Sequence, residues 1–104
     1  MCPNKINSIK ELEEAFCRVG GLVIDWECQK KFFKAVKKLE KSGLNKFLKQ
    51  VEKIFNNPKI GKYLYANRKG QCELYVDNSF RLYYNYCEKD NKIVFLEFSH
   101  KKAQ

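Results

Sequence analysis

Apolar residues recur at helical spacing in the first half of the chain and at strand spacing in the second. In "NSIKELEEAFCRVGG" the stripe is Ile9, Leu12, Phe16 and Val19, which predicts a helix over residues 8–19. Ser8 and Glu11 have the spacing of a capping box, and Gly20-Gly21 is a stop signal. Glu11, Glu13 and Glu14 lie in the early turns, where the helix dipole favours them. "LVIDW" is a short apolar run that predicts a strand over Leu22–Ile24. Asp25 is then placed to cap a second helix, Trp26–Lys41, with Phe32, Phe33, Val36 and Leu39 inward and "KSG" as its end. A third helix, Leu44–Asn56, has the cleanest pattern: Leu44, Phe47, Leu48, Val51, Ile54 and Phe55 share one face. Asn57 precedes Pro58 and is pushed out of the helical region.

The period then drops to two. "KYLYA" predicts a brief strand, followed by the loop "NRKG". In "QCELYVD", Cys72, Leu74 and Val76 share one face, and Gln71, Glu73, Tyr75 and Asp77 the other. "NS" makes a tight turn into "FRLYYNYC", where Leu82, Tyr84 and Tyr86 oppose Arg81, Tyr83 and Asn85. After the turn "EKDN", "KIVFLEFSH" carries Val94, Leu96 and Phe98 in phase. The expected fold class is α+β, with residues 1–104 as a single domain. A short strand and a two-helix antiparallel hairpin precede a C-terminal antiparallel meander, and the helices cover one face of it. The other face should present Glu73, Tyr75, Arg81 and Tyr83, closed at one end by "SHKK".

Composition narrows the classes. Hydrophobic residues make up 44% and charged residues 32% of 104 positions, a globular balance. Apolar runs fall far short of the roughly 20 residues a membrane helix requires, and the N-terminus lacks a signal-like apolar segment. A cytoplasmic protein with no membrane partner is expected. Five cysteines with no C-x-x-C pair and a single histidine argue against a zinc site and for reduced, buried thiols, Cys28, Cys72 and Cys87 among them. The net charge of +9 is concentrated: Glu27 to Lys69 holds thirteen Lys or Arg against three Glu, a local balance of +10. Such an excess fits a polyanionic partner, and equally a helical face kept soluble by lysines.

Candidate chemistry gathers on the second half. Arg81 presents a fork of donors suited to phosphate; it could also simply pair with Glu73 on the neighbouring strand. Tyr75 and Tyr83 suit base stacking or plain β-propensity. His100 is the single histidine, the side-chain type suited to acid–base work, and is either an acid–base group or a polar strand end. No glycine-rich phosphate loop and no serine nucleophile motif is present.

The run "NNPKIGKYLYANRKGQCELYVDNSFRLYYNYCEKDNKIVFLEFSHKK", behind a strand and a helix hairpin, resembles the RelE/ParE superfamily of toxins. The resemblance spans residues 22–102, with the helix over 8–19 as an N-terminal extension. It rests on "NP" closing the hairpin, on Gly70 eleven residues before Arg81-Leu82-Tyr83-Tyr84, and on a last strand ending in "SHKK". It implies the toxin of a type II toxin–antitoxin system. In the RelE branch such a toxin is a ribosome-dependent endoribonuclease. It cuts mRNA without metal or other cofactor, using the substrate's own 2′-hydroxyl, and an acidic antitoxin neutralises it. By this resemblance Arg81 holds the scissile phosphate, His100 or Glu73 transfers protons, and Lys102 or Lys101 matches the basic end of the last strand. Lys62, Arg68, Lys69, Tyr75 and Tyr83 become candidate RNA contacts. Glu73 and Tyr75 stand where the best-known branch carries lysines, and no aromatic follows the basic end. The superfamily also holds ParE-like members that inhibit DNA gyrase without cutting RNA. A catalytically decayed member that only binds RNA or antitoxin is the third alternative.

Overall fold

The computed structural model describes residues 5–20, 25–65, 70–77 and 79–100. It contains α1 (Ile9–Gly20), β1 (Asp25–Cys28), α2 (Lys30–Lys37), α3 (Lys41–Asn56), β2 (Lys62–Tyr63), β3 (Cys72–Tyr75), β4 (Phe80–Cys87) and β5 (Lys92–His100). The five strands form one sheet in the order β1-β5-β4-β3-β2. From β2 to β5 it is an antiparallel meander, and β1 adds to β5 in parallel. This is the expected α+β architecture, with the helices gathered on one face.

The start of α1 follows its sequence signals. Ser8 Oγ accepts the Glu11 N–H at 3.2 Å, and a Glu11 carboxylate oxygen accepts the Asn7 N–H at 3.1 Å. The helix packs on α3 and enters the core through Phe16. The Phe16 ring lies 4.6 Å from Trp26, 5.5 Å from Phe55 and 5.4 Å from Phe95, centroid to centroid. Phe32 of α2 stacks on Phe95 at 5.0 Å. One aromatic cluster therefore ties all three helices to β1 and β5, in offset and edge-on geometries that such rings prefer.

Four expectations are corrected. The second helix does not begin at Trp26: Asp25–Cys28 is β1, in register with Lys92–Phe95, and Gln29 rather than Asp25 precedes α2. The N–H of Gln29 donates to the Phe95 carbonyl at 3.0 Å, so pairing with a strand more than sixty positions away captures a segment that local periodicity reads as helix. The predicted strand over Leu22–Ile24 lies outside the described residues. Second, "KSG" does not end a helix but opens α3, with the Leu44 N–H donating to the Glu40 carbonyl at 2.7 Å. Third, a register shift between Tyr83 and Tyr84 pairs Tyr83 with Glu97 and Tyr84 with Phe95, leaving Leu96 as the extra residue. A bulge of this kind reverses the inward phase. Ile93 and Phe95 join Phe98 in the core cluster; Val94 does not, and Leu96, though buried, lies outside that cluster. Fourth, of the thiols expected to be buried only Cys72 is; Cys28 is half-buried and Cys87 exposed.

Tyr84 locks the loop after α3 to the sheet. Its hydroxyl donates to the Pro58 carbonyl at 2.8 Å and accepts the Gly61 N–H at 3.0 Å. Burial pushes the pKa of this phenol upward, so it stays neutral and keeps its donor. A Cβ on Gly61 would stand 2.7 Å from the Tyr84 oxygen and 3.0 Å from its ring. Gly61→Ala is therefore expected to lower stability by about 1–3 kcal/mol, the usual cost of overpacking, as read from urea unfolding. An unchanged midpoint would show that the contact yields freely.

Candidate functional site

Strand alternation builds the site. Side chains opposite one another across neighbouring strands share a face. Tyr75, Arg81 and Ser99 form one row across β3, β4 and β5, and Glu73, Tyr83 and Glu97 form the next. Lys62 of β2 extends the second row, in register with Glu73. These rows lie on the face away from the helices, because Leu82 and Phe98 on the alternate positions are in the core. The bulge at Leu96 turns Glu97 and Ser99 toward this face.

Arg81 is fixed there. Its terminal nitrogen lies 3.4 Å from Glu73 Oε2, and the Tyr83 hydroxyl donates to the same oxygen at 2.9 Å. The guanidinium carbon stands 5.1 Å from the centre of the Tyr75 ring, a cation–π distance. The Tyr83 hydroxyl is foremost among the influences that raise the Arg81 pKa, with Tyr75 and Glu73 adding to it, so Arg81 is a permanent cation. The Arg81 and Glu73 side chains are 23% and 13% exposed, placing the pair at the bottom of the open face rather than on its rim. At the other end of the row Lys31 of α2 reaches Glu97 at 3.3 Å. The cross-strand pair expected of Arg81 and Glu73 thus exists, and it is also what orients the cation. The set offers a fixed guanidinium, a carboxylate beside it, and an exposed aromatic ring.

The remaining predicted residues are placed differently. Tyr83 faces the expected side but is only 2% exposed, so its ring is no stacking surface; it positions Glu73. Tyr75, 57% exposed, keeps an accessible ring. His100 is not brought to Arg81. It pairs with Phe80 in register and meets that ring edge-on at 5.0 Å, on the helix-covered side. There it borders a groove with Phe98, Lys31, Lys34 and Lys38. Lys62 stands at the exposed sheet edge. Arg68, Lys69, Lys101 and Lys102 lie outside the described residues. The sequence reading missed Lys31, Glu97 and Ser99; period-two alternation on β5 beyond the bulge is the signal for the last two. Among the described residues no three His, Cys, Asp or Glu side chains converge as metal ligands would, and no helix is long and apolar enough to cross a membrane.

No family model matches the sequence, and no curated protein matches it. Solved structures do. The chain is similar to the RelBE2 toxin–antitoxin complex from Mycobacterium tuberculosis, with a TM-score of 0.65 and 17% identity over 77% of this chain and 100% of that one. It is similar to the archaeal RelE-RelB complex from Pyrococcus horikoshii, at 0.62 and 17% over 80% and 100%. It is also similar to YafQ from Escherichia coli, at 0.61 and 24% over 77% and 96%. At such identities the likeness is one of fold. The chain has the fold of RelE-type toxins.

Proposed function

We propose that this protein is the toxin of a type II toxin–antitoxin pair and acts as a RelE-like endoribonuclease on ribosome-bound mRNA. The observation that carries the reading is Arg81: a permanent cation at the bottom of an open sheet face, oriented by Glu73 and Tyr75. In the reaction the 2′-hydroxyl of one nucleotide attacks the adjacent phosphate. The O2′–P bond forms, the P–O5′ bond breaks, and the products are a 2′,3′-cyclic phosphate and a 5′-hydroxyl. Glu73 accepts the 2′-proton. Arg81 neutralises the charge that builds on the phosphate, the kind of interaction that grows in the transition state. The departing 5′-oxygen needs a proton; His100 is turned to the other face, and the basic end of the last strand, Lys101 or Lys102, is proposed to supply it. The other of these two lysines adds charge neutralisation. The Tyr75 ring is the stacking surface. The lysines of α2 and α3 supply phosphate contacts to ribosomal RNA, a salt-sensitive interaction. An acidic antitoxin is the matching protein partner, and the fold's likeness to RelB-bound toxins supports it.

Two observations favour a second, non-nuclease reading. Glu73 already neutralises Arg81, and His100 is turned away, as suits a surface that binds rather than cuts. That is the ParE-like alternative. Purified protein added to programmed ribosomes separates the two. The nuclease reading expects mRNA fragments with 5′-hydroxyl and cyclic-phosphate ends and no effect on gyrase supercoiling. Intact mRNA with inhibited supercoiling supports the alternative.

A further inference from the structure

We propose that the β2 edge is a stacking platform for unpaired RNA bases next to the Arg81 site. The position of the platform along the RNA rests on the nuclease reading above; its existence does not.

Among the described residues five large apolar side chains are exposed: Ile9, Ile60, Tyr63, Tyr65 and Tyr75. Three of them come from residues 60–65, which form and flank β2. Tyr63 is 47% and Tyr65 79% exposed. Their ring centroids lie 4.8 Å apart at an interplanar angle of 57°, so the two rings present adjoining faces to solvent. Beneath them a groove of about 360 Å³ runs between Pro58, Gly61 and Tyr86. Neither ring belongs to the core; the segment is held to the sheet by the pairing of β2 with β3, by the Leu64 N–H donating to the Gln71 carbonyl, and by Tyr84. The two tyrosines therefore contribute exposed aromatic area that packing does not require, on a sheet edge where proteins usually place charge.

Charge decides the occupant. From Asn56 to Tyr65 the chain carries Lys59 and Lys62 and no acidic residue. Glu88, the acidic group on the groove, is paired with Lys59. Flat aromatic faces set among cations suit single-stranded nucleic acid, because any base can stack while the cations follow the backbone. The topology supplies continuity with the site. Lys62 shares the row of Glu73, two strands from β4, a distance of roughly 10 Å. An RNA strand whose phosphate rests at Arg81 crosses Lys62 and turns over the edge onto Tyr63 and Tyr65. The platform thus reads the nucleotides flanking the cut by stacking, not by base edges.

The test is binding of a labelled, single-stranded oligonucleotide with every 2′-oxygen methylated, which the proposed chemistry cannot cleave. Fluorescence anisotropy compares the wild type, the Tyr63→Ala/Tyr65→Ala pair and the Tyr63→Phe/Tyr65→Phe pair. Stacking needs rings, not hydroxyls. The alanine pair is expected to lose roughly tenfold or more in affinity, and the phenylalanine pair to stay within about twofold. A duplex of the same sequence should compete poorly. Because both side chains are exposed, both variants should melt with the wild type. Wild-type affinity in the alanine pair overturns the proposal, as does equal loss in the phenylalanine pair or no binding by the wild type. Loss of binding to a protein partner with RNA affinity intact also overturns it and makes the platform a protein interface. The nuclease reading fails separately: Arg81→Ala would then leave RNA cleavage unchanged while the tyrosine pair still governs binding.

Discussion

Replacing Arg81 by alanine is expected to lower the single-turnover rate of mRNA cleavage by about 100-fold or more. Removing one preorganised group that meets developing charge has effects of that scale. The expectation follows from the geometry: Arg81 is held by Glu73 at 3.4 Å and lies over Tyr75 at 5.1 Å, so its fork is oriented before substrate arrives. Arg81→Lys should recover little, because an ammonium has the charge but not the planar fork. Glu73→Gln separates orientation from proton transfer. Its amide oxygen still accepts the Tyr83 hydroxyl, so the melting temperature should move little while the cleavage rate falls. Full-rate cleavage by Arg81→Ala would remove Arg81 from the mechanism.

Phe16→Ala carries the second large effect, on stability. Phe16 touches Trp26, Phe55 and Phe95, and tilts against Phe47 at 6.1 Å, so its removal opens a cavity where three helices meet the sheet. The expected loss is about 3–5 kcal/mol, equivalent to a fall in melting temperature of roughly 15 °C or more for a domain of this size. Deleting α1 outright should cost at least as much while leaving the Arg81 face chemically intact. Unchanged melting of either variant would show that α1 is an appendage and that the core closes without it.

How much of this was legible depends on how local each determinant is. The stripe of α3 and the capping residues of α1 are local, and the observed elements follow them. The β3 and β4 alternation is local too, and it puts Glu73, Tyr75 and Arg81 on one face in both readings. Pairing of Asp25–Cys28 with β5 is not local; nothing within that segment distinguishes a short parallel strand from the first turn of a helix. The bulge at Leu96 is likewise a tertiary event, and it moves the core-cluster positions from Val94 and Leu96 to Ile93 and Phe95. Burial of Tyr83, whose hydroxyl meets the Glu73 carboxylate, is set by tertiary packing that alternation alone does not reveal. His100 was legible and was misread. It stands two positions past Phe98, and that parity places it on the helix-covered side, away from Arg81. The family resemblance drew it into the site; the strand register takes it out.

The most direct measurement maps mRNA 5′-ends genome-wide after brief induction of the wild type and of Arg81→Ala at matched protein levels. The account predicts new 5′-hydroxyl ends inside translated frames, at a fixed position within codons, for the wild type and none for the variant. Growth arrest with intact messages, or identical ends from both proteins, would contradict it.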